Sequence, residues 1–190
     1  LVTAIITTFN RSDYCREAMK SVLAQTFTDF ELIILDNSSK DNTEEVVNSF
    51  KDSRVRYIKH PQMNIAEARN LGWMKARGRY VGFLDDDDRW LPNKLQDQLA
   101  LFDVGGKEPA LVYGGFYKID KNGNRTGQFR PTLRGMILKG LLRQDNDFTG
   151  SASNPLLRRD VLEKLGGYDD TVVTGEDWEL YLRLAEQYSI

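Results

Sequence analysis

The sequence is poor in the two residue types that most often mark redox and metal chemistry. It has one cysteine and one histidine among 190 residues. The single Cys15 excludes an internal disulfide and a multi-thiolate metal site, and it suits a reducing compartment. The single His60 leaves almost no material for Ser-His or Cys-His catalysis. Disulfide-stabilised folds and thiolate zinc sites are therefore excluded.

Long apolar runs and an excess of basic charge are also missing. No stretch approaches the roughly 18 apolar residues that cross a bilayer, and no signal-peptide pattern is present. Lys and Arg number 26 against 28 Asp and Glu, for a formal charge of −2. Proteins that bind nucleic acid carry a basic excess, so we expect no nucleic-acid partner. The chain starts at Leu1 in a strand-like stretch and stops at Ile190, so we expect a fragment of a longer protein.

Two phosphate-binding motifs are absent as well. Neither G-x-x-x-x-G-K-[ST] nor G-x-G-x-x-G occurs, which argues against a P-loop enzyme and a dinucleotide fold of that type. An aspartyl-phosphate phosphatase would carry its D-x-D on the first strand, whereas here it follows the fourth. Arg89 breaks the pattern of a calcium-binding loop.

The first hundred residues do show a regular alternation of strand and helix patterns. Strands are predicted at 1–10, 30–35, 54–59 and 79–84. Helices are predicted from Ser12, around Val46, from Asn64 to a stop at Gly78 with a capping box at Glu67, and over 92–103. This order predicts an α/β fold with an open, mostly parallel sheet and helices on both faces.

The second half has a different pattern. "KNGN" at 121–124 predicts an antiparallel hairpin, because Asn-Gly favours a tight turn. Short helices are predicted at 133–142 and 158–165, and a last helix from about Glu176.

Polar segments follow three of the predicted strands, at Thr7–Asn10, Asp36–Ser39 and Asp85–Asp88. Ligands of such sheets bind beyond the carboxyl ends of the strands, so these segments are expected to converge on one crevice. In an extended stretch Asp85 and Asp87 would share a face, and Asp86 and Asp88 would point away. All-oxygen ligands suit Mg²⁺ or Mn²⁺. The alternative is a solvated acidic loop in which Asp88 caps the next helix.

Three segments together resemble a known family. They are "VTAIITTFNRSDYCREAMKSVLAQTFTDFELIILDNSSKDNT", "NIAEARNLGWMKARGRYVGFLDDDDRWLPNKL" and "GGYDDTVVTGEDWELYLRL". In this order and spacing, over about half the chain, they resemble the inverting glycosyltransferases of family 2, which have the GT-A fold. The resemblance implies an enzyme that moves a sugar from a nucleotide-sugar to an acceptor hydroxyl with inversion, in polysaccharide or glycoconjugate synthesis.

The resemblance also implies a donor site. Asp87, the last acid of the D-x-D element, corresponds to the ligand of a Mn²⁺ or Mg²⁺ cofactor, and Asp85 and Asp86 to contacts with ribose or donor sugar. The nucleoside contacts correspond to Thr7, Asp36 and Asn37, and Arg69 to an arginine that approaches the base or diphosphate.

Position 37 departs from the family pattern, which often has a second acid there. A carboxylate would accept a hydrogen bond from the uracil imide, whereas Asn37 offers a carbonyl acceptor and an NH₂ donor. A UDP-sugar remains the expected donor.

The third segment, with "TGEDW", implies the rest of the machinery. Asp177 corresponds to the general base, and Glu176 and Trp178 are weaker candidates for acceptor-side contacts. Spacing alone favours an acid at the start of a helix for Asp177, and for Trp178 a core position is an equal alternative.

The sequence therefore predicts one domain with two halves, 1–104 for the donor and 105–190 for the acceptor and base, with 141–154 as a candidate acceptor loop. The acceptor is expected to be a saccharide or lipid-linked, with the protein in the cytoplasm or peripheral at the inner face of the membrane. A non-catalytic nucleotide-sugar-binding module and a Mg²⁺-dependent nucleotidyltransferase are the rival interpretations.

Overall fold

A computed structural model of the chain describes residues 1–103, 108–120, 122–143, 148–149 and 151–190. The strands are β1 Val2–Thr8, β2 Phe30–Asp36, β3 Val55–Lys59, β4 Tyr80–Asp85, β5 Leu111–Val112, β6 Phe116–Ile119, β7 Arg125–Phe129 and β8 Leu156–Arg158. The helices are α1 Ser12–Leu23, α2 Thr43–Ser49, α3 Ile65–Lys75, α4 Lys94–Phe102, α5 Leu138–Leu142, α6 Arg159–Leu165 and α7 Glu176–Gln187.

Six strands form one sheet in the order β3-β2-β1-β4-β8-β5. The first four are mutually parallel, and β8 runs antiparallel to both β4 and β5. The predicted mostly parallel α/β sheet is therefore confirmed. The separate antiparallel hairpin β6–β7 is also confirmed, with Gly123 in the left-handed region at φ 83° near its tip. Lys121 of the predicted turn lies outside the described residues.

Each face of the sheet carries its own apolar core, because successive side chains of a strand point to opposite sides. In β1, Ile5 belongs to the core covered by α3, α6 and α7, and Ile6 to the core covered by α1 and α4. Cys15 of α1 is fully buried in the second core, where burial raises the pKa of its thiol to about 12. It is a packing residue.

Helix α3 starts as predicted but ends earlier. Asn64 and Glu67 form a capping box at its start, whereas its last residue is Lys75 and Gly78 lies three residues beyond it. The glycine has another role, since a Cβ there would lie 2.6 Å from the backbone N of Thr3. Gly78 thus permits the close approach of the chain to β1.

The second half differs more from its prediction. Strand β8 was not predicted, because a three-residue strand carries too little pattern, and α5 covers only Leu138–Leu142 of the expected 133–142. The predicted boundary at 104/105 lies outside the described residues, as do 144–147 and 150 of the predicted acceptor loop.

Candidate active site

The carboxyl ends of β1, β2 and β4 open on one cleft of about 450 Å³. The register brings these ends side by side, since Thr8 pairs with Asp36 and Thr7 with Asp85. The cleft is lined by Thr7, Thr8, Phe9, Arg11, Leu35, Asn37, Ile65, Ala68, Arg69, Asp85, Asp86 and Asp87. Six residues predicted for the donor site therefore meet in one place: Thr7, Asn37, Arg69, Asp85, Asp86 and Asp87.

Asp36 is the predicted donor residue that does not line the cleft. It is fully buried, and its carboxylate accepts hydrogen bonds from the Ser39 N–H, at 2.8 Å, and from the Tyr57 hydroxyl. Burial and the adjacent carboxylate raise the pKa of Tyr57, which keeps the phenol protonated as the donor. Asp36 thus holds the β2–α2 loop in shape beneath the cleft.

Asn37 lines the cleft with its amide already clamped to the backbone of Met63. Its Oδ1 accepts from the Met63 N–H at 2.8 Å, and its Nδ2 donates to the Met63 carbonyl at 3.0 Å. A carbonyl oxygen has two lone pairs and an NH₂ group two hydrogens, so one of each is still available to a ligand.

The acidic side chains after β4 do not point in the alternating directions that the sequence predicted. Asp86 and Asp87 share one guanidinium nitrogen, Arg11 Nη1, at 3.2 Å from each. Asp86 is buried and also accepts from the Thr8 hydroxyl at 2.8 Å, whereas Asp87 is exposed. Burial raises the pKa of Asp86. Asp86 lines the cleft together with Asp85 and Asp87, so the expectation that it points away from them is wrong, because the chain turns after β4 ends at Asp85.

Asp88 does not cap the next helix. Its N–H bonds the Asp85 carbonyl at 3.0 Å, which closes the turn, and α4 starts only at Lys94. Its carboxylate instead accepts from the Ser151 hydroxyl at 3.3 Å. Burial raises the pKa of Asp88. The acidic run is therefore folded against the second half of the chain and is not a freely solvated loop.

Arg69 connects the cleft with the start of α7. It is only 4% exposed, and its Nη2 lies 2.9 Å from Asp85 Oδ1 while its Nη1 lies 2.5 Å from Glu176 Oε1. The guanidinium also lies over the Tyr168 ring, 5.6 Å from its centroid. Asp85 is held further by its N–H, which donates to Ser153 Oγ at 3.0 Å.

Asp177 is the second residue of α7 and is half-buried next to Glu176. Burial, reinforced by the Glu176 charge, raises the pKa of Asp177, although its Oδ1 accepts the Trp178 N–H at 2.8 Å. A carboxylate with a raised pKa is a stronger base than an exposed one. Asp177 does not itself line the cleft, but its neighbour Glu176 is paired with Arg69, which does.

Trp178 packs into the core, as the core alternative predicted. It is half-buried, and its ring meets Phe148 edge-on with centroids 6.5 Å apart. Glu176 is likewise buried and is paired with Arg69.

Sequence reasoning gave no role to Arg11, Thr8 or Tyr168, although all three lie in the segments that carry the family resemblance. Their contacts join positions far apart in the chain: Arg11 is 75 residues from Asp86. Predicting these contacts would have required knowing which strands pair and in which register.

Two absences concern the described part of the chain. There, no three His, Cys, Asp or Glu side chains group so as to hold a metal ion by themselves. None of the helices in the same ranges is long and apolar enough to cross a bilayer.

Comparisons with known proteins show the family of the chain. The sequence model of glycosyl transferase family 2 matches residues 3–166. WfaP of Escherichia coli, named UDP-Glc:alpha-D-GlcNAc-diphosphoundecaprenol beta-1,3-glucosyltransferase, is 37% identical over 130 residues, which cover 68% of this chain and 51% of WfaP. The chain thus spans about half the length of that relative, and 28% of an uncharacterized glycosyltransferase from Rickettsia bellii.

Solved structures share the fold. TarS 1–349 of S. aureus in complex with UDP superposes with a TM-score of 0.77 at 19% identity, covering 98% of this chain and 55% of TarS 1–349. The mannosyltransferase PcManGT of Pyrobaculum calidifontis, in complex with GDP-Man and Mn²⁺, gives 0.71 at 18% identity, covering 99% and 53%.

Proposed function

The chain belongs to glycosyl transferase family 2 and has the GT-A fold, and we propose that it carries the donor site and the base of a metal-dependent, inverting glycosyltransferase. The observation that carries the proposal is that two ion pairs of one arginine connect the cleft with the helix that holds the proposed base. Arg69 joins Asp85, which lines the cleft, to Glu176, the neighbour of Asp177.

A nucleotide-sugar, with UDP as the favoured nucleotide, occupies the cleft in this proposal. Thr7 and Asn37 face the nucleoside, and the remaining lone pair of Asn37 Oδ1 accepts the uracil imide N–H. Asp85 and Asp86 face the ribose and the donor sugar. The UDP complex of TarS supports uridine, whereas PcManGT holds GDP-Man, so the base has to be measured.

The residues after β4 fit a divalent cation. Oxygens of Asp86 and Asp87 already converge on a single positively charged atom, Arg11 Nη1. Two carboxylates are the usual protein share of a Mg²⁺ or Mn²⁺ site that also takes phosphate oxygens and water. Asp87, the more exposed, is the proposed ligand, and a bound Mn²⁺ or Mg²⁺ would offset charge on the leaving diphosphate. The Mn²⁺ complex of PcManGT supports a metal.

Asp177 takes the proton of the acceptor hydroxyl while that oxygen attacks the anomeric carbon from the side opposite the nucleotide. The attacking C–O bond forms as the bond to the diphosphate breaks, which inverts the anomeric centre. Because the pKa of Asp177 is raised, transfer should slow as the pH falls through that raised value. Positioned general bases contribute roughly 10²–10⁴-fold.

The acceptor in this proposal is a saccharide on a lipid diphosphate, as in the name of WfaP. Such an acceptor would bring the protein to a membrane surface as a peripheral protein. Glu176 serves the reaction through Arg69 in this arrangement, and Trp178 through packing, so neither contacts the acceptor sugar.

A nucleotide-release screen tests the proposal. The protein is incubated with Mn²⁺ and a panel of UDP-, GDP- and dTDP-sugars, with and without an undecaprenyl-diphosphate-linked saccharide, and the product anomer is assigned by NMR. A UDP-sugar should release nucleotide faster with acceptor and give the inverted anomer. Asp177→Asn should lower the rate about 10²–10⁴-fold and leave UDP binding intact.

Three results contradict the proposal. Binding without release indicates a non-catalytic module, and pyrophosphate release from a nucleoside triphosphate indicates a nucleotidyltransferase. If no nucleotide-sugar binds in the presence of metal, the donor-site assignment fails.

A further inference from the structure

Helix α3 contacts both parts of the proposed machinery. Ile65, Ala68 and Arg69 line the cleft. Other side chains of the same helix and its cap hold the segment 168–170, which leads into α7. A single rigid element therefore lies between the donor side and the base.

Three hydrogen bonds fix that segment to α3. Asn70 Nδ2 donates to the Tyr168 carbonyl and Asn70 Oδ1 accepts from the Tyr168 N–H, each at 2.8 Å. Asn64 Nδ2 donates to the Asp170 carbonyl at 3.0 Å. These bonds hold the chain against α3 as far as Asp170, six residues before Glu176. None of the three reaches Asp177.

Arg69 supplies the missing connection at Glu176. Its two terminal nitrogens contact two different carboxylates, Asp85 at the cleft and Glu176 at the start of α7. Each terminal nitrogen already donates to a carboxylate, and Arg69 is only 4% exposed, so little of the guanidinium is open to a ligand. This differs from the role implied by the family resemblance, in which the arginine approaches the base or diphosphate.

We propose that Arg69 is a positioning residue that holds the first turn of α7, and with it Asp177, in register with the donor side of the cleft. This inference rests on the proposed function. When a donor hydroxyl hydrogen-bonds to Asp85, that carboxylate becomes better fixed, and through Arg69 so does Glu176. Donor binding thereby orders the neighbouring base, and donor and acceptor steps are coupled through one buried guanidinium.

Two variants test this connection. Arg69→Lys keeps the charge but replaces a planar fork with a point donor that cannot span both carboxylates. Glu176→Gln keeps the shape and removes the second charge. In each, kcat should fall about 10–100-fold, whereas the Kd for UDP with Mn²⁺, from calorimetry, should change less than about 3-fold. The double variant should be no slower than the slower single, because the two residues act as one unit.

Hydrogen exchange supplies a readout that does not depend on turnover. Peptides covering 168–180 should exchange faster in both variants than in the wild type, and UDP with Mn²⁺ should slow exchange there in the wild type only. Arg54→Lys is the matched control, since Arg54 pairs bidentately with Asp52 just before β3, at the opposite end of the strands. It should change neither kcat nor exchange at 168–180.

The outcomes separate this inference from the proposed function. If Arg69→Lys weakens UDP binding more than about 10-fold while exchange at 168–180 is unchanged, Arg69 is a donor ligand and the inference is wrong. Rate losses that multiply in the double variant would also overturn it. If the wild type binds no nucleotide, the proposed function fails, and the ligand-free exchange comparison still decides whether Arg69 holds α7.

Discussion

The carboxyl group of Asp177 is half-buried next to Glu176, and both features raise its pKa above the ordinary value near 4. A raised pKa means that the ionised carboxylate destabilises the fold. The contribution of this group to the free energy of unfolding is therefore fully present below its pKa in the unfolded chain, and it is lost as the pH rises through its pKa in the folded protein. Asp177→Asn should therefore increase the free energy of unfolding at pH 7. Urea denaturation should show that gain shrinking to nothing near pH 4. A gain that is the same at both pH values would contradict it.

Arg11 lies where two carboxylates meet, so it competes with any cation that they would share. Arg11→Gln removes that competitor and a repelling charge, and Mn²⁺ should bind about 3–10-fold more tightly by EPR titration of the free ion. Arg16→Gln is the control, because Arg16 lies in α1, which begins directly after Arg11, and makes no ion pair with Asp86 or Asp87. If Arg11→Gln leaves the Mn²⁺ affinity unchanged, the cation does not bind at Asp87 beside Arg11.

At the scale of elements, the approach of the segment after α3 to β1 depends on one missing Cβ. Gly78→Ala would place a Cβ 2.6 Å from Thr3 N and 2.7 Å from Val2 C, both backbone atoms that cannot turn aside. We expect a loss of about 1–3 kcal/mol in the free energy of unfolding, measured with urea. Gly114→Ala is the control, because a Cβ there meets nothing within 4 Å. Equal effects in the two variants would contradict this account.

The elements also show what sequence periodicity can predict. The strands and helices of the first half repeat an apolar pattern long enough to identify, and Asn64 with Glu67 marks the start of α3. Strands β5 and β8 owe their existence to partners far away, Leu157 opposite Val81 for example. Local pattern carries no information about such partners. The predicted direction of the Asp86 side chain is wrong for a related reason, since the chain turns where an extended strand was assumed.

At the scale of the whole molecule, ligand binding to the cleft should raise the melting temperature by mass action. UDP with Mn²⁺ should stabilise more than GDP or dTDP with Mn²⁺, and each nucleotide more than the same nucleotide with EDTA. With UDP at about 100 times its Kd the gain is about 2.7 kcal/mol, and scanning fluorimetry measures it. GDP giving the larger shift would reverse the choice of base, and shifts independent of Mn²⁺ would contradict the metal site.

The sequence predicted which residues lie together at the edge of the sheet better than it predicted the direction of each side chain. The order of the predicted strands places Thr7, Asn37 and Asp85 at one edge of the sheet. It could not show that the carboxylate of Asp36 faces the Tyr57 hydroxyl and not the cleft, because side-chain direction at a strand end depends on the neighbouring loop.

The pairing of β8 with β4 has a consequence for synthesis on the ribosome. Tyr80 of β4 meets Arg158 of β8, so the edge of β4 stays open until nearly eighty further residues have been made. An unpaired apolar edge is a template for pairing with other chains, and late-formed, non-local pairings prolong that exposure. A nascent or truncated chain that stops before Leu156 should therefore aggregate during expression, although it contains the entire parallel part of the sheet.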